Sequence, residues 1–104
     1  MRTKFDIEQD IVKMIKTVFD PEIPVNIFDL GLIYNIDVDD EFNTEITMTL
    51  TAPNCPAADF IIEDTKQKVE SVHDINNVEI KLTFEPEWNR DMMSEEALLE
   101  LGFL

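Results

Sequence analysis

The sequence is poor in the residues that build several common functional sites. It has one cysteine, one histidine and two glycines in 104 residues. One thiol cannot form an intrachain disulfide, a CxxC redox pair or a self-contained zinc site. Two glycines leave little room for a phosphate-binding loop, and neither a GxGxxG nor a Walker pattern occurs. These shortages argue against disulfide-rich, zinc-stabilised and nucleotide-binding proteins.

Basic residues are also scarce. Eight Lys and Arg residues stand against 23 Asp and Glu residues, which gives a formal net charge of −15. The segment from Thr17 to Thr65 has eleven acids and no base. This charge repels phosphate, so we expect neither nucleic acid nor an anionic membrane as a partner. There is also no apolar run of signal-peptide or membrane-spanning length, so the sequence predicts a cytoplasmic protein.

The length and composition predict a single domain over residues 1–104. A hydrophobic content of 44% is enough for a core, and a chain of 104 residues folds without covalent cross-links. We place the core in residues 5–86. Residues 87–104, which follow Pro86, are called the tail below.

Apolar spacing predicts two helices and a short third one. Steps of three and four join Ile7, Ile11, Met14, Ile15 and Val18. Asp6 and Gln9 stand in capping-box positions, and Pro21 should end this helix near Asp20. A second helix is predicted over Pro56–Val72. In the tail, Ser94 is placed to cap a last short helix ending at Gly102.

Three segments alternate between apolar and polar residues, which predicts strands with one buried face. The inward sets are Leu32, Tyr34, Ile36 and Val38; Ile46, Met48 and Leu50; and Val78, Ile80, Leu82 and Phe84. Thr47, Thr49 and Thr51 are predicted to point outward. The first two strands should form a hairpin, and the second helix should make the third strand parallel to the second. The prediction is an α+β two-layer sandwich, α-β-β-α-β, with a three-stranded mixed sheet and a C-terminal tail.

Cys55 is the first candidate for chemistry because of its position between a strand and a helix. Pro56 suits the first helical position, so Cys55 would cap the helix. Unpaired backbone N–H groups and the helix dipole favour a thiolate there. The alternative is a small buried apolar residue, which free cysteine often is.

Other polar residues offer weaker candidates. A Cys–His nucleophilic pair is excluded, because a helix of about 25 Å would separate Cys55 from His73. Asp20, Glu22 and Asp29 are close enough in sequence to surround a hard cation, but they also suit turn capping. The tail contains an apolar group, Trp88, Met92 and Met93, which either packs on the domain or contacts a partner protein.

Three motifs together resemble a known family. They are Asp20-Pro21-Glu22-Ile23-Pro24-Val25, Asp29-Leu30-Gly31-Leu32-Ile33-Tyr34 and Leu50-Thr51-Ala52-Pro53-Asn54-Cys55-Pro56. In this order they resemble the SufT/PaaD-like iron–sulfur assembly domain, in its short SufT-like form. The resemblance continues through Pro86-Glu87-Trp88 and Met93-Ser94-Glu95-Glu96-Ala97, so it covers nearly the whole chain.

The resemblance implies an accessory factor in iron–sulfur cluster assembly, maturation or delivery to client proteins, and not an enzyme. It implies that Cys55 is the functional thiol and that Asp20, Thr51 and Asn54 are site neighbours. A cluster normally needs four protein ligands. Any iron–sulfur cluster on Cys55 would therefore be transient, and shared between two chains of a homodimer or completed by a partner or small thiol. Trp88, Met92 and Met93 would contact an assembly scaffold or client.

Two other functions remain open on the sequence alone. The first is a non-catalytic adaptor that docks a scaffold or client protein and in which the cysteine is incidental. The second is a thiol-dependent transferase, which ranks last because no base accompanies Cys55.

Overall fold

The fold was analysed in a computed structural model, which describes residues 3–20, 23–51 and 58–102. The elements in chain order are α1 Lys4–Ile15, β1 Ile33–Val38, β2 Thr44–Met48, α2 Ala58–Glu70, β3 Val78–Leu82, a 3₁₀ turn Arg90–Met92 and α3 Glu95–Glu100. The predicted α-β-β-α-β order and the short last helix are confirmed. Among the described residues, no helix is both long and apolar enough to cross a membrane.

The sheet is mixed, as predicted, and its strand order is β1-β2-β3. β1 and β2 are antiparallel, with Ile36 opposite Ile46. β2 and β3 are parallel, with Ile46 opposite Ile80. The helical crossover through α2 makes the parallel pairing possible.

Both long helices pack on one face of this sheet, which gives the predicted two-layer α+β sandwich. Every third or fourth residue of each helix is fully buried because it faces the strands. The helical core residues are Ile7, Ile11, Ile15, Ile61 and Val69, and they belong to the same core cluster as Ile46 and Met48 of β2. The opposite face of the sheet carries polar side chains such as Asn35, Asp37 and Lys81, which are exposed.

The capping box of α1 lies one turn earlier than predicted. The Thr3 hydroxyl accepts from the Asp6 N–H, and the Asp6 carboxylate accepts from the Thr3 N–H, at 3.2 and 3.0 Å. The Asp6–Gln9 prediction was therefore wrong. The helix also ends at Ile15, before the predicted end near Asp20. After Ile15 the N–H groups of Thr17 and Val18 donate to the carbonyls three residues back, Met14 and Ile15, at 3.0 and 2.9 Å, so the α-helical pattern ends there.

Two strand residues depart from simple alternation. Thr49 was predicted to point outward but is fully buried. It lies just beyond the end of β2, and its N–H donates to the Leu32 carbonyl at 2.8 Å. Leu82 was predicted to point inward but is 42% exposed. β3 is the edge strand of the sheet, so one side of Leu82 has no neighbouring strand among the described residues.

The β1–β2 turn is held by one carboxylate. Asp39 accepts from the backbone N–H groups of Asn43 and Glu41, both at 2.9 Å, and from the Asn43 side chain at 3.1 Å. These hydrogen bonds, those from Asn43 above all, lower the pKa of Asp39. The turn also contains Phe42 with a positive φ of 64°.

Candidate functional site

The predicted site segment begins where β2 ends. Leu50 is buried and Thr51 is partly exposed. Asn54 and Cys55, which follow, lie outside the described residues, so their roles remain predictions. α2 is described from Ala58 onward and has Asp59 in its first turn.

Backbone hydrogen bonds connect this end of β2 to the loop that follows α1. Ile27 donates to Val18, Leu32 donates to Ile27, and Thr49 donates to Leu32, at 2.9, 3.1 and 2.8 Å. A β-bridge between Phe19 and Asn26 strengthens the same region. These bonds connect Leu32 of the second motif with residues that flank the first and third motifs, Val18, Ile27 and Thr49.

Asp20 follows this bridge and is buried, with 5% of its surface exposed. Its carbonyl accepts from the Ile23 N–H at 3.3 Å. A charged side chain with so little exposure is uncommon and favours a specific role in the loop. The predicted site neighbour Asp20 therefore lies two residues after Val18, whose carbonyl begins the series of backbone hydrogen bonds that leads through Ile27 and Leu32 to Thr49.

A small cavity of about 90 Å³ opens beside Thr51. Its lining consists of Leu50, Thr51, Phe84, Glu87 and Trp88. We call it the Thr51 cavity. Thr51 directly precedes residues 52–57, which include Asn54 and Cys55. We therefore take the cavity as the described part of the candidate site.

Trp88 lines the Thr51 cavity and also contacts the motif of residues 29–34, which contains Leu30 and Gly31. Its indole Nε1–H donates to the Leu30 carbonyl at 2.6 Å, across 58 positions of sequence. Leu30 is fully buried, so this bond satisfies a carbonyl that has little access to water. One face of the site is consequently built by the tail.

Further contacts hold the tail on the domain. Tyr34 Oη donates to the Pro86 carbonyl at 2.7 Å and to Met92 Sδ at 3.6 Å. The Ser94 N–H donates to the Asp29 carbonyl at 2.8 Å. Met93 is 9% exposed and belongs to the core cluster. These contacts pack the tail on the domain and leave Trp88 and Met92 partly exposed. A partner-contact role for Trp88, Met92 and Met93 remains a prediction.

The other polar candidates lie apart from the Thr51 cavity. His73 follows α2, is exposed, and has Nε2 3.5 Å from Asp74 Oδ1. The 13 residues of α2 span about 20 Å, which separates His73 from the start of the helix. Asp29 accepts from the Asn26 side-chain amide at 2.7 Å, and Asn26 Oδ1 accepts from the Asp29 N–H at 2.9 Å, so the turn-capping residue is Asn26 and not Asp29.

The described residues also contain no group of three His, Cys, Asp or Glu side chains that could hold a metal ion. This covers Asp20 and Asp29 but not Glu22, which lies outside the described residues. The described part of the loop therefore does not provide the hard-cation site that its acids suggested.

Sequence reasoning missed two residues that line the Thr51 cavity. Phe84 lies there because Thr83 continues the parallel pairing, with its N–H 2.9 Å from the Met48 carbonyl. Its inward position follows from alternation, but its closeness to Thr51 requires the strand order. Glu87 lies in an irregular segment after Pro86, where no periodic pattern indicates its direction.

Trp88→Phe is expected to destabilise the protein by about 1–3 kcal/mol, because it leaves the buried Leu30 carbonyl without its donor while keeping an aromatic ring. Urea denaturation measures the change. Tyr34→Phe is the matched control, since it removes a hydrogen bond to a more exposed carbonyl and should cost about 1 kcal/mol or less. Equal stabilities of Trp88→Phe and the parent protein would show that the indole bond does not stabilise the site.

Comparison with known proteins identifies the family. Residues 8–82 match the sequence profile of a family described as "Iron-sulfur cluster assembly protein". A Porphyromonas gingivalis protein, "Fe-S protein maturation auxiliary factor", is 71% identical over 97 residues, which are 93% of this chain and 92% of the relative. "Fe-S protein maturation auxiliary factor SufT" of Staphylococcus aureus is 39% identical over 85 residues, 82% of this chain and 97% of that protein.

A solved structure agrees with these sequences. The crystal structure of a "Domain of Unknown Function DUF59" from Bacillus anthracis superposes with a TM-score of 0.88 at 34% identity. The superposition covers 94% of this chain and 93% of that one. The resemblance drawn from the motifs is therefore confirmed, and the chain belongs to the iron–sulfur cluster assembly protein family.

Proposed function

We propose that this protein is an accessory factor that supports iron–sulfur cluster assembly on client proteins, or cluster delivery to them, through Cys55. The observation that carries the proposal is the family match over residues 8–82, which contains Asp20, Thr51 and Cys55. The auxiliary-factor names of the relatives support the same function. The Thr51 cavity adds a defined, partly apolar surface directly before the cysteine segment.

The chemistry of the proposal depends on the thiolate. A cysteine before a helix is more acidic than a free thiol, because the helix dipole and unpaired N–H groups stabilise its anion. Thiolate is also the usual protein ligand of iron–sulfur clusters. Cys55 would therefore hold the iron–sulfur species as cargo.

The ligand count limits how tightly this cargo is held. The sequence has one cysteine, whereas a cluster normally takes four protein ligands. No metal-binding group of carboxylates or histidine is present in residues 3–20, 23–51 and 58–102. The residues thus do not fit a resident four-ligand cluster. They fit a transient one, completed by a small thiol, a partner protein or a second copy.

We further propose that the protein acts without turning over a small molecule. A thiol enzyme needs a base within hydrogen-bond reach of its nucleophile. The only histidine is exposed beyond the far end of α2 and lies beside Asp74. This arrangement supports a binding and transfer role for Cys55.

A non-catalytic adaptor is the second candidate. The observation that favours it is the charge of −15, which suits docking of a cationic scaffold or client without any use of the thiol. The two functions differ in whether Cys55 is required.

The proposed function is tested in a strain that lacks this protein. We expect an iron–sulfur dehydratase purified from iron-limited cells to have normal abundance but reduced iron and sulfide per chain. Anaerobic incubation with ferrous iron and sulfide should restore its activity, because the defect lies in loading. Expression of the protein from a plasmid should also restore the loading. Unchanged iron and sulfide contents in several iron–sulfur enzymes would contradict the proposal.

A further inference from the structure

β3 leaves one side of the sheet open. The strand order β1-β2-β3 pairs Val78–Leu82 with β2 alone, so no described strand covers its other side. An exposed edge strand offers unpaired N–H and C=O groups to another extended chain. We call this side the outer edge of β3.

The hydrogen bonds at both ends of β3 show which residues face outward. The Thr83 N–H donates to Met48, and the Asn77 carbonyl accepts from Thr44, at 2.9 and 2.8 Å. Odd-numbered residues therefore direct their backbone groups toward β2. Because the direction alternates along a strand, the backbone groups on the outer edge are those of Val78, Ile80 and Leu82.

Apolar surface accompanies the C-terminal half of this edge. Leu82 is 42% exposed, although it belongs to the apolar set of the strand. Beyond it, an open cavity of about 600 Å³ is lined by Phe84, Glu85, Pro86 and Glu87. An extended chain along the edge would thus cover apolar side chains as well as pair its backbone.

Acidic side chains lie near both ends of the same edge. Glu79 is at the start of the strand, in register with Glu45 of β2. Glu85 is exposed beyond its end. Lys81 lies between them, but its ammonium is 3.2 Å from the Glu45 carboxylate. Glu79 and Glu85 are six positions apart, which in an extended chain is a distance of about 20 Å.

We infer that the outer edge of β3 binds an extended segment of a partner protein, with basic residues about six positions apart and apolar residues between them. The backbone of the segment pairs with Val78, Ile80 and Leu82. Its apolar side chains cover Leu82 and Phe84, and its cations lie near Glu79 and Glu85. Strand addition of this kind combines backbone affinity with side-chain specificity.

The other candidate edge and the other candidate occupant fit less well. The outer side of β1 is interrupted by a register shift between Ile33 and Asn35, and such irregularities discourage strand addition. A second copy of this chain would bring the same acidic ends and a further charge of −15 to the edge. Charge complementarity therefore favours a basic partner.

This inference goes beyond the proposed function, because strand addition at β3 requires neither the thiol nor iron. It is tested on the purified full-length Cys55→Ser variant, which removes thiol chemistry from the measurement. Absence of peptide binding would then contradict the edge site alone, and unchanged client loading in the strain that lacks the protein would contradict the proposed function alone.

The probe is the peptide acetyl-Lys-Val-Thr-Val-Thr-Val-Lys-amide, titrated into ¹⁵N-labelled protein; in a strand its Lys side chains lie on one face and its Val side chains on the other, as Glu79 and Glu85 lie opposite Leu82 and Phe84. We expect the largest amide shifts on β3, and slower hydrogen exchange of the Val78, Ile80 and Leu82 amides on binding. One control peptide has Glu in place of both Lys residues. A second control keeps both Lys residues but is N-methylated at its five internal residues, which removes the five backbone N–H donors between the Lys residues. Neither control should bind.

Glu79→Gln/Glu85→Gln is expected to weaken peptide binding about three- to tenfold, because it removes the carboxylates near both ends. Glu8→Gln/Glu100→Gln is the matched control, since it removes the same charge on α1 and α3, away from β3, and should leave the affinity unchanged. Equal binding of the N-methylated peptide, or shifts centred away from β3, would overturn the inference. Sedimentation showing a dimer of the protein alone, joined at β3, would assign the edge to a second copy and overturn it as well.

Discussion

Cys55→Ser is expected to reduce client loading to the level of the strain that lacks the protein. Serine cannot replace a thiolate toward iron, because its hydroxyl is neutral at physiological pH. It is also a preferred helix-capping residue, so the fold should be retained, with a stability change within about 0.5 kcal/mol. Iron and sulfide per chain of a dehydratase purified from complemented cells measure the effect, and urea denaturation measures the stability.

His73→Ala is the matched control for this variant. His73 is exposed at the far end of α2, so its removal should leave client loading unchanged. Full loading with Cys55→Ser would contradict a role for the thiol and favour the adaptor. Lost loading with His73→Ala would contradict the separation of the two residues and restore the Cys–His pair as a hypothesis.

Gly31→Ala is expected to destabilise the protein by about 3 kcal/mol or more, since two costs combine there. Gly31 has a φ of +84°, which side-chain-bearing residues rarely adopt. An added Cβ would also overlap the Met92 carbonyl oxygen and lie 2.8 Å from its carbonyl carbon. Backbone atoms cannot move aside as a flexible side chain does, so the tail would have to shift. The urea midpoint should fall accordingly.

Gly102→Ala separates the two costs. Gly102 has nearly the same φ, +82°, but an added Cβ there has nothing within 4 Å. It should therefore lose only about 1–2 kcal/mol, the cost of the backbone conformation. Equal losses for Gly31→Ala and Gly102→Ala would contradict the importance of the Met92 contact.

The regular part of the fold could be predicted from the sequence because each element has its own period. Ile7, Ile11 and Ile15 recur at helical spacing, and Ile46 and Met48 alternate as a strand does. Ser94 was also identified correctly as a cap, since its hydroxyl accepts from the Ala97 N–H at 3.1 Å. Local patterns of this kind do not depend on the rest of the chain.

The misplaced residues depend on distant partners. Thr49 is buried beyond the regular part of β2, where its backbone pairs with Leu32, a distant residue that no local pattern indicates. Leu82 is exposed because β3 is an edge strand, and strand order is a property of the whole sheet. The Thr51 cavity is of the same kind, because Trp88 reaches it from a segment without periodicity. The sequence indicated the candidate residues, but their arrangement needed the tertiary fold.

The bond between Trp88 and Leu30 also has a consequence for synthesis. During synthesis, Leu30 and Gly31 leave the ribosome long before Trp88 and Met92. α1 and the β1–β2 hairpin therefore emerge while the loop around Gly31 is not yet covered by the tail. Contacts at a separation of 58 positions also close slowly during refolding, because a long chain must be ordered first. A nascent chain halted before Trp88 would thus lack the donor to the Leu30 carbonyl and one wall of the Thr51 cavity. The candidate site is therefore completed only late in synthesis and folding.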